Sequence, residues 1–281
     1  MTALDAAGPN AAQAAYWNET VGPSWVALQD ALDGQLRPLG LKAMEVLAPK
    51  PGERLIDVGC GCGDTSLELA RRVGDAGAVL GADISAPMLA VARRRAEAAG
   101  LAWARFAQAD AQVEAFEPAD GVFSRFGVMF FADPTAAFAN LYKALKPGGR
   151  VAFVCWRPLA QNPWMTVPMA AVAPLLPAPL PPAPPDAPGP FAFADRDRLR
   201  GILAGAGFTD IAIEASDQKI GQGDVEAATL IALNAGPVAA AARTYPDLKH
   251  RIQAAVRVAL APYETPDGVR LDSSVWIVRA A

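Results

Sequence analysis

Three glycines in strict alternation, Gly59, Gly61 and Gly63, lie in the run Asp57-Val58-Gly59-Cys60-Gly61-Cys62-Gly63-Asp64. A glycine loop that joins a strand to a helix lets backbone approach a ligand closely, and amides at the helix start suit a carboxylate or a phosphate. The chemistry expected of such a loop is the binding of a nucleotide-like molecule. A dinucleotide fingerprint, G-x-G-x-x-G, would need glycine at position 64. The residue there is Asp64, an acid that would repel a pyrophosphate. Two further carboxylates follow. Asp83, in Gly81-Ala82-Asp83-Ile84-Ser85, stands 20 residues beyond Gly63 and offers two oxygens to the hydroxyls of a ribose. Asp110, in Gln108-Ala109-Asp110-Ala111, offers an acceptor to an adenine amino group. Together these acids surround an adenosine-shaped gap. They suit the zwitterionic tail of S-adenosylmethionine, whose ammonium Asp57 or backbone carbonyls would accept while its carboxylate meets loop amides. Asp64 and Asp110 both disfavour an NAD-dependent oxidoreductase.

The elements that must position these groups are legible between residues 54 and 156. Apolar, β-branched runs at 54–58, 78–83, 103–110, 121–126 and 150–156 alternate with amphipathic segments, the pattern of five parallel strands covered on both faces. Helices are predicted over 64–73, 85–99 and 134–145. The second has Ser85 as N-cap, Pro87 in its first turn and Gly100 past its end, and the third is capped by Asp133. Nine prolines fall within 174–190, a spacing that no helix or central strand tolerates. An ordered surface connection is expected there, with a simple spacer as the other reading. A helix at 195–206, a strand at 209–220, a helical stretch at 225–262 and a last strand at 269–279 complete the chain. Residues 1–50 add helices before the first strand.

Four motifs in this order resemble those of the class I S-adenosylmethionine-dependent methyltransferases. They are Asp57-Val58-Gly59-Cys60-Gly61-Cys62-Gly63, Ala82-Asp83-Ile84-Ser85, Ala109-Asp110-Ala111 and Leu145-Lys146-Pro147-Gly148-Gly149. The resemblance runs from about residue 49 to 156 and is strongest to the branch similar to the ubiquinone/menaquinone-biosynthesis methyltransferases. It implies an α/β, Rossmann-like, seven-stranded and mostly parallel sheet of order 3-2-1-4-5-7-6, its last strand antiparallel, with the cofactor at the strands' C-terminal edge. The domain would span 51–281, with an N-terminal helical cap at 1–50 and cap insertions at 157–194 and 225–264. The resemblance further implies that Asp57, Gly59, Cys60, Gly61 and Gly63 lie by the methionyl part and that Asp83 takes the ribose. Ile84 and Met88 would pack on adenine, Asp110 and the Ala111 amide would read its edge, and the backbone around Arg125 and Phe126 would face the methionyl ammonium.

Other constellations are weaker. Cys60, Cys62 and Cys155 suggest a soft-metal site, but a strand between them in the implied order sets them roughly 10 Å apart, too far for shared ligation at ~2.3 Å. The edge after the fourth strand reads Phe123-Ser124-Arg125-Phe126, and a cation there would oppose Mg²⁺, so no metal is expected. His250, the one histidine, is a candidate general base, though Lys249-His250-Arg251 also reads as a solvated helix face. Arg125 could orient an anionic substrate or pair with a structural acid. Tyr16, Trp17, Phe130, Trp156 and Trp164 cluster toward the expected catalytic edge and suggest an apolar substrate chamber.

The 281 residues carry 52% hydrophobic side chains and a net charge of −4, a folded composition with no positive field to gather nucleic acid. Three cysteines make no disulfide framework, and neither a secretory signal nor a membrane span is visible, so a cytoplasmic location is expected. The expected activity is S-adenosylmethionine-dependent methyl transfer to a small hydrophobic or aromatic metabolite, assisted mainly by orientation and desolvation. The competing expectation is an inactive cofactor-binding regulator or partner protein.

Overall fold

The computed structural model describes residues 8–181, 184, 186–221 and 223–281. Residues 1–7 of the expected cap, and Pro182 and Pro185 of the proline tract, lie outside the described residues. The chain begins with α1 (Ala11–Ala15), a π-helical turn (Tyr16–Thr20), α2 (Gly22–Ala27) and the long α3 (Gln29–Leu47). Alternation follows: β1 (Arg54–Val58), α4 (Asp64–Val73), β2 (Ala78–Asp83), α5 (Ala86–Ala98), β3 (Ala104–Gln108), β4 (Ala119–Arg125), α6 (Pro134–Ala144) and β5 (Leu145–Trp156). Then come α7 (Pro163–Val172), α8 (Arg196–Gly205), β6 (Ala212–Ile220), α9 (Val225–Asn234), α10 (Gly236–Thr244) and α11 (Lys249–Leu260). A two-residue hairpin, β7 (Glu264–Thr265) and β8 (Gly268–Val269), leads into β9 (Leu271–Ala280).

Seven strands form one sheet in the order β3-β2-β1-β4-β5-β9-β6. The first five run parallel, and β9 slots antiparallel between β5 and β6. With β9 as the seventh strand of the sheet, this is the order that the motifs implied. Side-chain alternation assigns the layers. A side chain at Gly121 would meet Leu47 of α3, whereas Phe153 packs its ring on Phe138 of α6. Because Phe123 pairs with Ala152, one residue out of phase with Phe153, α3 and α6 cover opposite faces.

Two local expectations are corrected. The Lys146-Pro147-Gly148-Gly149 break belongs to β5, whose pairing jumps from Ala119–Leu145 to Gly121–Arg150, so the four residues bulge out opposite Asp120. Lys146 Nζ holds both carboxylate oxygens of Asp120 at 2.8 and 2.9 Å across that bulge. Ser85 occupies the N-cap position of α5, yet its hydroxyl donates to the Trp17 carbonyl instead of capping the helix. The open amide of Ala86 donates instead to Asn18 Oδ1, so the cap comes from the N-terminal segment.

Segment 225–262, expected as one helical stretch, breaks at Gly236-Pro237 and Pro246 into three helices. With α7 they enclose a second apolar core that includes Val172, Val225, Val238, Ile252, Val256 and Leu260. No single helix among the described residues is long and apolar enough to cross a membrane; α9 and α10 together have the length but are bent by 65°.

Phe138 ties the layers together: it is fully buried, and the rings of Phe131, Phe153, Phe193 and Phe208 surround it at centroid distances of 5.3 to 6.4 Å. Phe138→Ala should therefore cost about 3–5 kcal/mol of stability, read from the midpoint of urea unfolding.

Candidate functional site

A cavity of about 190 Å³ opens at the C-terminal ends of β1 to β5. Gly59, Cys60 and Gly61 line it after β1, and Asp83, Ile84 and Met88 after β2. Asp110 and Ala111 follow β3, Arg125, Phe126 and Phe130 follow β4, and Trp156 ends β5. Trp17 and Trp164 come from the N-terminal segment and from α7. Four expected residues do not line it: Asp57, Gly63, Tyr16 and His250.

The glycine loop works differently from its sequence reading. Gly59 has φ +67°, and a side chain on it would lie 2.6 Å from the Gly127 Cα, so the missing atom makes room for another backbone. Gly63, with φ +86°, is the N-cap of α4, and a side chain there would strike Ala92 at 2.9 Å. The loop amides are also engaged. Those of Gly59 and Cys60 donate to the Ala82 carbonyl, that of Gly61 to Asp83 Oδ2 and that of Gly63 to the Cys60 carbonyl. Four of the loop amides expected to meet a carboxylate, those of Gly59, Cys60, Gly61 and Gly63, thus hold the loop itself.

Asp57 lies sealed beneath this loop. Its Oδ2 accepts the Thr65 and Ser66 hydroxyls at 2.7 and 2.6 Å, while Oδ1 has no partner among the described residues. It supports the start of α4 and does not reach the cavity. Asp64 is likewise turned away, its carboxylate held by Arg37 at 2.8 Å and Arg125 at 2.9 Å. That pairing removes it as the acid repelling a phosphate.

Asp83 ends β2 and lines the cavity. Gly61 and Ser85 amides donate to Oδ2 and Oδ1, each at 2.8 Å, fixing the carboxylate and leaving each oxygen a lone pair for a ligand hydroxyl. Burial raises its pKa, against the lowering effect of those backbone amides. Asp110 is clamped from the N-terminal segment: Asn10 Nδ2 donates to both of its oxygens at 2.8 and 2.9 Å and to Gln112 Oε1 at 3.1 Å. Asn10 Oδ1 accepts the Ala132 amide, and Asn18 Nδ2 donates to the Ile84 carbonyl. Two asparagines thus dock the N-terminal segment onto the ends of β2, β3 and β4.

Arg125 touches the cavity but its charge is engaged. Its guanidinium pairs with Asp33 at 2.8 Å and Asp64 at 2.9 Å, and Gly40 of α3 leaves room for its stem. The structural reading of Arg125 fits this geometry, and the substrate-orienting one does not. Phe126 is held at φ +66°, a conformation rare outside glycine, and its ring stacks on Trp156 at 4.3 Å and 10°. Trp164 extends this wall 5.0 Å from Trp156, and Trp17 meets Phe130 edge-on at 5.2 Å. Tyr16 packs its edge on Trp17 but is itself exposed. His250 lies exposed on α11 and away from the cavity, which removes it as a base at this site. Cys60, Cys62 and Cys155 are buried free thiols; burial pushes Cys62 up to about 12 and the other two also upward, so none is a ready nucleophile.

Sequence reasoning missed Asn10, Asp33, Gln35, Met129 and Met165, all of which line the cavity. One signal was present. Gln29, Leu32, Asp33 and Leu36, all cavity-lining, follow the i, i+3, i+4, i+7 spacing of a single helix face.

The residues present fit an adenosyl group. Asp83 and Asp110 keep acceptor capacity at the ribose and amino positions, and Ile84, Met88 and Ala111 supply apolar surface between them. A sheet of this order, with an alternating-glycine turn after β1 and a fixed carboxylate ending β2, defines the class I methyltransferase architecture. The methyltransferase domain family matches residues 55–149, the segment that carries the alternating-glycine turn, Asp83 and Asp110. Over 119 residues it is 41% identical to the demethylmenaquinone methyltransferase of Thermus thermophilus, a match covering 42% of this chain and 53% of that protein. Over 141 residues it is 32% identical to the 2-phytyl-1,4-naphtoquinone methyltransferase of Trichormus variabilis, covering 48% and 61% respectively. The matches thus span between half and two thirds of these curated relatives. The YcgJ protein of Bacillus subtilis shares the fold, with a TM-score of 0.56 and 16% identity over 86% of this chain and 96% of that one.

The sealed Asp57 has a thermodynamic signature. Burial raises its pKa from 3.8 to about 6, against the lowering effects of Ser66, Thr65 and Arg125. Unfolded, the group ionises at its ordinary value. Between pH 3.8 and about 6 the folded protein therefore holds a proton that the unfolded chain has lost, and stability declines as pH rises through that window. Asp57→Asn keeps an oxygen for both hydroxyls and escapes the decline, on the order of 2–3 kcal/mol. Thermal melts should show the variant more stable than wild type at pH 8 and the difference closing at pH 4.

Proposed function

We propose that the chain is an S-adenosylmethionine-dependent methyltransferase whose acceptor is a small, uncharged, aromatic or quinone-type molecule. The observation that carries this reading is one cavity with two kinds of wall. Asp83 and Asp110 line it after β2 and β3, Phe126, Phe130, Trp156 and Trp164 line it after β4 and β5 and from α7, and Trp17 packs on both Met88 and Phe130. The relatives are named for demethylmenaquinone and a 2-phytyl-1,4-naphtoquinone, which supports an acceptor of that type.

When bound, S-adenosylmethionine supplies a methyl group on a sulfonium that already carries its leaving group. What remains for the protein is to orient and to exclude water. In this reading Asp83 holds the ribose, Asp110 and the Ala111 amide read the adenine edge, and Ile84 and Met88 pack on its faces. Gly59, Cys60, Gly61, Phe126 and the Arg125 backbone shape the methionyl end. The aromatic walls align the acceptor face and keep it dry. The described residues of the cap at 1–50 act as a helical lid and those of the insertions at 157–194 and 225–264 as the acceptor-side cover, since Trp17, Trp164, Pro190 and Gly236 all reach the cavity.

Incubation with methyl-labelled S-adenosylmethionine and a panel of quinols, phenols, thiols and amines tests the activity. Label should pass to a quinol or phenol, whereas binding without transfer to any of them would favour the regulatory protein. Asp83→Ala should weaken S-adenosylhomocysteine by about 1–3 kcal/mol in calorimetry, the cost of leaving buried hydroxyls without their acceptor. His250→Ala should keep its turnover within about twofold; a loss of ~10² or more, the range general-base catalysis supplies, would restore it as the base.

A further inference from the structure

Gln35 is a cavity-lining carboxamide that nothing in the fold satisfies, and the indole Nε1 of Trp164 beside it is likewise without a partner among the described residues. Asn10, Gln35, Gln112 and Asn162 are the buried carboxamides among the described residues. Asn10 is bonded to Asp110, Gln112 to Asn10 and the Asp133 amide, and Asn162 to the Arg157 carbonyl and the Ser274 amide. Gln35, on α3 and only 6% exposed, has no hydrogen-bond partner among the described residues. It lines the main cavity and also a smaller apolar chamber of about 40 Å³ formed with α7, α9 and α10. Trp164, Met165 and Ala235 share both walls with it. The Gln35 amide is not sealed in protein but opens on the cavity, so its hydrogen-bonding capacity is free for whatever enters there, and in an apolar wall it is the polar group a ligand oxygen can meet.

The surroundings define that atom. A carboxamide both donates and accepts, so it serves a hydroxyl or a carbonyl oxygen equally. Arg125, the cation that lines the cavity, pairs with Asp33 and Asp64, which leaves no uncommitted positive charge on the lining among the described residues for an anionic group. We propose that Gln35 is the residue that recognises the acceptor: its carboxamide binds an uncharged oxygen, hydroxyl or carbonyl, on an otherwise apolar ring, and selects against anionic rings. This assignment rests on the methyltransferase reading above.

The test uses the full chain saturated with S-adenosylhomocysteine and four probes followed by tryptophan fluorescence: 1-naphthol, 1,4-naphthoquinone, 1-methylnaphthalene and 1-naphthoate. Wild type should bind 1-naphthol or the quinone about tenfold or more tightly than 1-methylnaphthalene or 1-naphthoate. Gln35→Leu, and the volume-conserving Gln35→Met in case the first does not fold, should bring the ratio of oxygenated to methylated probe close to one. Their affinity for S-adenosylhomocysteine should stay within about twofold of wild type. A role limited to packing would shift all probes together and leave the ratio intact. An unchanged ratio in a folded variant, a wild type that prefers 1-naphthoate, or a wild type without preference for the oxygenated probes would overturn the assignment. Failure of wild type to bind S-adenosylhomocysteine would instead overturn the methyltransferase reading beneath it.

Discussion

Gly59 and Gly127 meet backbone to backbone where the turns after β1 and β4 cross. A Cβ on either would lie 2.6 or 2.7 Å from the other's Cα, a separation that real side chains do not reach. The rest of the upper edge follows from this contact. Ser124, just before the crossing, donates to the Val58 carbonyl and accepts the Gly127 and Val128 amides, riveting the two turns. Phe126 must then turn through a left-handed conformation, and its stack on Trp156 holds it there. Asp57 is sealed below, and Asp83, bound by the Gly61 amide, takes its orientation from the same turn.

Around this fixed floor, the charges of Asp33 and Arg125 at the cavity wall are matched with one another and with their neighbours. Asp33, Asp64, Arg37, Arg95 and Arg125 form a chain of ion pairs that ties α3 to α4, α5 and β4. The walls that remain are aromatic and thioether surface. In such a low-dielectric space each retained dipole acts more strongly than it would in water. The N-terminal segment is attached by neutral amides, which grip Asp110 and the Ile84 carbonyl without adding net charge beside the adenosyl end.

The strands, their order and the acids at the ends of β2 and β3 were legible in the sequence because each depends on neighbours within a few residues: β-branched runs, a glycine turn, a capping Asp133. The roles of the individual glycines were not. Alternation announced a tight turn, but whether each missing side chain makes way for a ligand or for protein is decided by Gly127 and Ala92, 68 and 29 residues away. Ser85 had the right type and place for a cap, yet Trp17 and Asn18 claimed the two ends of that bond. Asn10, Asp33 and Gln35 carried no local pattern of their chemistry, since Asn10 meets Ala132 122 residues later and the cavity they line is closed by Ala235 and Gly236, further along still.

The two-asparagine docking of the N-terminal segment also bears on how the chain reaches this state. Asn18 needs Ile84 and Ala86, Asn10 needs Asp110, Gln112 and Ala132, and all of these emerge from the ribosome after it. During synthesis, Asn10 has no complete seat until more than a hundred later residues have been added. The segment made earliest among those described is therefore among the last to settle, and it settles on a sheet edge already built. The entropy of closing that long loop therefore falls at the end of folding and not at its start.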